Sequence, residues 1–120
     1  MRLRQTVCFT LALAVLVPAG AAAQLRREPF VSGLTHPVAF VQDPSNPAVQ
    51  FVVQQEGLIR VISNGSLQAT PFLNLTTAII SGGERGLLGM AMAPDYATRG
   101  RFFVYFTGPG GHIVVAWLEL

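Results

Sequence analysis

The sequence contains no lysine, a single cysteine at position 8, and only 12% charged residues. Without lysine, Schiff-base chemistry is excluded. One cysteine cannot form an internal disulfide or a multi-thiolate metal centre. Eight arginines stand against six acids over the whole chain, but Arg2 and Arg4 belong to the opening segment, and beyond it the charges balance. A neutral remainder gives no electrostatic reason to expect a nucleic-acid or anionic-membrane partner. Long apolar stretches with a 3.6-residue period are also missing beyond Gln24, which argues against a helical bundle.

What is present begins with an export pattern. Arg2 and Arg4 precede an apolar run from Val7 to Val17, and Ala21-Ala22-Ala23 supplies small residues for cleavage. The run falls short of the roughly 20 residues a bilayer requires, and Pro18 and Gly20 interrupt it. Residues 1–23 are therefore expected to be a secretory signal cut after Ala23, with the protein periplasmic or extracellular and without a membrane span once cleaved. Cys8 lies inside the apolar run rather than after a cut, so a lipid-anchored terminus is not expected, and cleavage removes the thiol. About 97 residues remain, enough for one small domain.

From Gln24 onward, short runs rich in Val, Ile and Phe alternate with Gly, Pro, Asn and Asp, an all-β pattern. Strands are expected at about 38–42, 51–54, 58–63, 67–73, 87–91, 102–107 and 112–118. Asp43-Pro44-Ser45-Asn46-Pro47 cannot continue a strand, because proline lacks a donor and the Asp, Ser and Asn side chains satisfy local backbone. Asn64-Gly65 signals a two-residue hairpin turn of type I′, and Gly108-Pro109-Gly110-Gly111 closes the hairpin of the last two strands.

Two units repeat at an offset of about 51 residues. Val38 to Val41, a turn at Asp43-Pro44 and Phe51-Val52-Val53 correspond to Leu88 to Ala91, a turn at Pro94-Asp95 and Phe102-Phe103-Val104. Such a unit suits a β-propeller blade, and on pattern alone it suits a β-sandwich equally.

The most distinctive stretch is Gly82-Gly83-Glu84-Arg85-Gly86-Leu87-Leu88-Gly89-Met90-Ala91-Met92-Ala93-Pro94-Asp95-Tyr96, followed by Gly100-Arg101-Phe102-Phe103-Val104-Tyr105-Phe106-Thr107. It resembles the glucose/sorbosone dehydrogenase family, the soluble quinoprotein sugar dehydrogenases, whose hallmark is a Gly-Gln/Glu-x-Gly-Leu-Leu-Gly turn and strand, a His-Pro-Asp-Phe/Tyr turn and an aromatic strand. Upstream, Gly33-Leu34-Thr35-His36-Pro37-Val38-Ala39-Phe40 and Glu56-Gly57-Leu58-Ile59-Arg60-Val61 resemble the same family's first blade. Ala93 stands where the family usually has histidine, a change expected to affect a turn rather than catalysis.

The resemblance implies a six-bladed β-propeller carrying pyrroloquinoline quinone (PQQ) beside calcium, and oxidation of an aldose sugar by hydride transfer to the quinone, with an external electron acceptor. A histidine base, a polarising cation and a redox cofactor are the chemical parts this needs. Of the site residues, only Glu84 carries over: it matches a Gln/Glu that contacts the sugar at the cavity mouth. Its other reading is a solvated loop acid paired with Arg85. The catalytic histidine, the quinone-binding arginines and the calcium ligands are expected beyond Leu120, so no catalytic or metal-binding residue is assigned here. His36 reads as an edge residue before Pro37, and His112 as a structural residue that opens the last strand after the Gly-rich turn. Asp43 and Asp95 read as turn caps. The sequons at Asn64 and Asn74 matter only in a eukaryotic secreted protein, and the signal is bacterial in style.

A propeller of such blades needs on the order of 300 residues. The chain is therefore expected to be the N-terminal part, about two blades, of an exported PQQ-dependent sugar dehydrogenase, inactive by itself. The alternatives are a non-catalytic extracellular propeller module and a small secreted β-sandwich.

Overall fold

The computed structural model describes residues 24–120; the expected signal at 1–23 lies outside the described residues. Two antiparallel sheets follow one another along the chain. The first contains β1 (Pro37–Gln42), β2 (Val49–Gln54), β3 (Leu58–Ser63), β4 (Ser66–Leu67) and β5 (Leu73–Asn74). The second contains β6 (Leu87–Met92), β7 (Phe102–Thr107) and β8 (Ile113–Leu118), with α1 (Tyr96–Arg99) between β6 and β7. In each sheet the strands are laid down as a meander, in the order β1-β2-β3-β4 and β6-β7-β8.

The expected strands are present, with one correction. The stretch 67–73 is not continuous but divided into β4 and β5, both paired with β3. Gln68 N–H still donates to Val61 O at 2.8 Å and Phe72 N–H to Ile59 O at 2.8 Å, so one interrupted strand occupies the fourth position. Pro71 lies in the gap, where it removes a ladder donor. The excursion leaves Phe72 bridging the sheets, 4.6 Å from Phe51 and 5.0 Å from Phe102 between ring centroids. The Asn64-Gly65 turn has both residues at positive φ, 50° and 74°, as type I′ requires. The short α1 was not anticipated by periodicity; Gly100, at φ 67°, caps it by donating N–H to Tyr96 O at 2.8 Å.

The repeat survives with one correction: by backbone register Phe51-Val52-Val53 correspond to Phe103-Val104-Tyr105, one residue later than the expected Phe102-Phe103-Val104. The β1/β2 ladder slips between Pro37 and Ala39, and the β6/β7 ladder slips between Leu87 and Gly89. Those slips lie 50 residues apart, so each sheet carries the same irregularity in its first strand. Matching the ladders makes Gly89, Ala91, Phe103, Tyr105, Val115 and Trp117 the equivalents of Ala39, Val41, Phe51, Val53, Ile59 and Val61. The offset is 50 in the first strand and 52 in the second, with the α1 turn as the longer connection.

That equivalence decides between the two architectures left open by the pattern. In the first sheet, Ala39, Val41, Phe51, Val53, Ile59 and Val61 face the second sheet and form the core with Leu87, Met90, Met92, Phe102, Val104 and Leu118. In the second sheet, the equivalent face is apolar yet open: Phe103 is 42% exposed and Trp117 63%. A sandwich has polar outer faces. A propeller instead repeats one sheet-to-sheet contact around a ring, so the face that is core in one blade is apolar in the next. The other face of the first sheet carries Gln42, Gln50, Gln54 and Arg60 and is partly covered by the preceding segment, where Phe30 sits edge-on to Phe40 and Gln54 Nε2 donates to Thr35 O at 2.6 Å.

The contact between the sheets is fixed at one end by a stitch. Leu87 N–H donates to Gln55 O at 2.9 Å, and Gln55 Nε2 donates to Gly83 O at 2.6 Å and Arg85 O at 3.0 Å. Gly86, at φ 147°, lies so near that a Cβ would overlap the Gln55 carbonyl oxygen and come within 2.7 Å of its Cγ. Gly86→Ala is expected to destabilise the fold by roughly 3 kcal/mol, from overlap plus backbone strain, read as a lowered urea midpoint with unchanged slope. Separately, Phe103→Thr with Trp117→Thr is expected to reduce hydrophobic-dye binding of the chain with little change in the melting temperature, since those side chains line an open face and threonine keeps strand propensity.

Candidate functional site

The sheet ends sort the polar residues into two groups. One end gathers the start of β1 at His36, the β2–β3 turn at Gln55-Glu56-Gly57, the 81–86 turn before β6, and the β7–β8 turn at 108–112. The opposite end holds the Asp43 loop and the α1 turn with Asp95. His36, Glu56, Glu84 and His112 thus share one rim, while Asp43 and Asp95 do not belong to it.

Glu84 is exposed within the turn that the Gly82–Arg85 bridge closes, two residues before the Gly86 stitch. Gly82 N–H donates to Arg85 O at 3.0 Å and Arg85 N–H returns to Gly82 O at 3.2 Å, which closes the loop and puts Gly83 and Glu84 at its tip. Gly83 has φ 60° and Gly82 φ 114°, conformations that L side chains rarely adopt. Among the described residues Glu84 makes no hydrogen bond or ion pair, so the alternative in which Arg85 neutralises it finds no contact. A carboxylate presented on a stitched turn at the mouth of the sheet end can accept hydrogen bonds from a ligand hydroxyl.

Sequence reasoning passed over the neighbouring pair. His36 Nδ1 is bonded to Glu56 Oε1 across 20 residues. Gln55 N–H donates to His36 O at 3.1 Å, holding His36 at φ 37° despite its side chain. These residues line a cleft of about 240 Å³ with Gln55, Ser81, Gly82 and Gly83. The only sequence signal was the coincidence of His before Pro37 with an acid beside Gly57, which no local motif joins. The His36 hydrogen bond holds the Glu56 carboxyl below its ordinary value, outweighing slight desolvation. His112 is exposed, and its backbone O accepts from Gly108 N–H at 2.8 Å to close the last hairpin, a structural role.

At the far end, Asp43 caps its turn as expected: its Oδ1 accepts from Ser45 N at 2.7 Å, Ser45 Oγ at 2.6 Å and Asn46 N at 3.1 Å. Asp95 behaves otherwise. It makes no side-chain cap to α1 and pairs with Arg101, whose hydrogen bond holds the carboxyl below its ordinary value.

The rim offers little to the groups that the family resemblance implies. PQQ carries several carboxylates, and among the described residues Arg85 is the only arginine in the turns of this rim, beside Glu56 and Glu84. No group of three His, Cys, Asp or Glu residues that could hold a metal occurs among the described residues, whereas calcium takes six to eight oxygen ligands. The described residues by themselves fit neither group, and no step is derived through them. No helix among the described residues is long and apolar enough to cross a membrane.

Two stacked meander sheets with the same register slip and a repeated core face define a pair of β-propeller blades. Comparison with solved structures gives the particular kind. The chain superposes with a TM-score of 0.62 and 27% identity on a putative oxidoreductase (glucose dehydrogenase) from Thermus thermophilus, over 78% of this chain and 27% of that one. It matches the PQQ-bound aldose sugar dehydrogenase of Streptomyces coelicolor with a TM-score of 0.64 and 24% identity, over 75% and 26%, and a further glucose dehydrogenase structure with 0.60 and 23%. The structural neighbours are thus sugar dehydrogenases, in agreement with the glucose/sorbosone dehydrogenase family that the Gly82–Thr107 motif resembles. Among curated proteins, the Hedgehog-interacting proteins of Mus musculus and Homo sapiens are 31% and 30% identical over 97 residues. The chain spans 14% of the length of those relatives. No family profile matches the chain.

The Glu56 pair carries a sign that can be measured. A carboxyl whose folded pKa is depressed contributes stability above its unfolded value, and that contribution fades as pH falls through the folded value. Wild type is therefore expected to be more stable than Glu56→Gln above about 4.5, the ordinary value, and to lose the advantage on acidification below it, in urea melts across a pH series.

Proposed function

We propose that this chain forms the leading blades of an exported PQQ-dependent sugar dehydrogenase that oxidises an aldose by hydride transfer to the quinone. The observation that carries the reading is the Gly82–Leu87 turn: a stitched, glycine-bearing loop that presents Glu84 at a rim, in a fold matched by sugar dehydrogenase structures. In this reading Glu84 accepts a hydrogen bond from a sugar hydroxyl at the cavity mouth, while the base, the quinone cradle and the calcium ligands come from other blades. Residues 1–23 act as the export signal and place the protein in the periplasm or outside the cell, where an external acceptor reoxidises the cofactor.

A second reading, a non-catalytic extracellular binding module, has one observation in its favour, the sequence likeness to Hedgehog-interacting proteins. That likeness covers a small fraction of those proteins, and the sugar dehydrogenase structures favour the first reading.

The test uses the longest natural protein that carries residues 1–120, purified from the extracytoplasmic fraction. Reduction of a dye by glucose only when PQQ and calcium are both supplied is expected. Tight sugar binding without turnover under those conditions would instead support the binding module. In the same protein, Glu84→Ala is expected to lower kcat/KM for the sugar about tenfold to a hundredfold, the range for one hydrogen bond to a charged group.

A further inference from the structure

The cleft beside Glu84 contains a second arrangement that the dehydrogenase reading does not use. His36 and Glu56 come from different turns yet meet side chain to side chain, and the remaining walls are Gln55, Ser81, Gly82 and Gly83. A carboxylate can only accept, so in the neutral imidazole the ring proton resides on Nδ1, which donates to Glu56, and Nε2 is the ring's acceptor. The Glu56 carboxyl is kept ionised by the same bond. Backbone strain at His36 is maintained by the Gln55 N–H rather than relaxed, and residues held this way concentrate at ligand sites. Gly82 and Gly83 would meet nothing with an added Cβ, so the mouth beside the imidazole is open. Ser81 adds a hydroxyl that both donates and accepts.

We propose that the His36–Glu56 pair is a second hydroxyl-recognition point for a polyhydroxylated ligand of the sugar class, with His36 Nε2 accepting from one hydroxyl in the cleft and Glu56 orienting the ring. It rests on the reading that this rim meets sugar, and it assigns to His36 direct ligand contact and to Glu56 a positioning role. His36 stays a hydrogen-bond acceptor; no proton abstraction is assigned to it.

The experiment titrates glucose into the full chain and follows the ring C–H signals of both histidines by NMR. His36 is expected to move saturably while His112, outside the cleft, stays as an internal reference. Asparagine tolerates positive φ, so His36→Asn removes the imidazole without adding backbone strain; it is expected to weaken glucose binding about tenfold, followed through the Gly82 and Gly83 amides. Glu56→Gln is expected to weaken it by a smaller factor, because a ring remains but is no longer held by a carboxylate. Movement of His36 no greater than that of His112, or unchanged glucose affinity in His36→Asn, overturns the proposal. Glu84→Ala separates the two readings. If it leaves glucose affinity unchanged while His36 still responds, the Glu84 assignment fails and this one stands. If Glu84→Ala weakens binding and His36→Asn does not, this one fails alone.

Discussion

Everything in the described chain depends on the close approach of Gln55 to the turn that opens the second sheet. Gln55 gives its carbonyl to Leu87 N–H and its side-chain amide to Gly83 O and Arg85 O. From the other side Thr107 N–H donates to Gly86 O at 2.9 Å, and Ile80 N–H donates to Thr107 O at 3.0 Å. Residue 86 must therefore accept a backbone on each side at positive φ, and only glycine meets both demands. With the second sheet fixed at this point, Leu87 is fully buried, and the faces of β1 and β2 close on β6. The stitch thus links sequence to packing: one small residue sets the spacing at which two apolar faces become one core.

The same constraint shapes the rim. A loop tied to its neighbour at Gly83, Arg85 and Gly86 cannot fold back, so its tip presents Glu84 outward. The β2–β3 turn that supplies Gln55 also supplies Glu56, and its pairing with His36 gathers the start of β1 into the same cleft. Packing and candidate chemistry therefore share one turn. Apolar surface is distributed by the ring logic rather than by a sandwich: Phe103, Tyr105, Val115 and Trp117 repeat the positions that are core in the first sheet.

Much of the fold was legible because its signals are local. The short apolar runs at 102–107 and 112–118, the Asn64-Gly65 turn and the proline breaks at 44 and 47 act within a few residues, and the structure follows them. The interruption of 67–73 was legible only in part, since Pro71 advertises a lost donor but not that Phe72 turns inward to bridge two sheets. The four-residue α1 is too short for any periodicity to register, although Gly100 was a visible stop. At the rim, the motif around Glu84 could be read from contiguous residues. The His36–Glu56 pair could not, because 20 residues separate its members and only the meander brings them together. Asp95 shows the reverse error: a turn acid beside proline reads as a cap, yet Arg101 competes for it successfully.

If the sheets are successive blades held by the Gln55 stitch, native-state hydrogen exchange at Leu87 reveals it. Its amide is bonded across sheets rather than within its own ladder. Leu87 N–H is then expected to exchange as slowly as the buried amides of β2 and to open together with them. Exchange at the rate of a free loop while β2 stays protected would contradict it, leaving two independent sheets with no shared core.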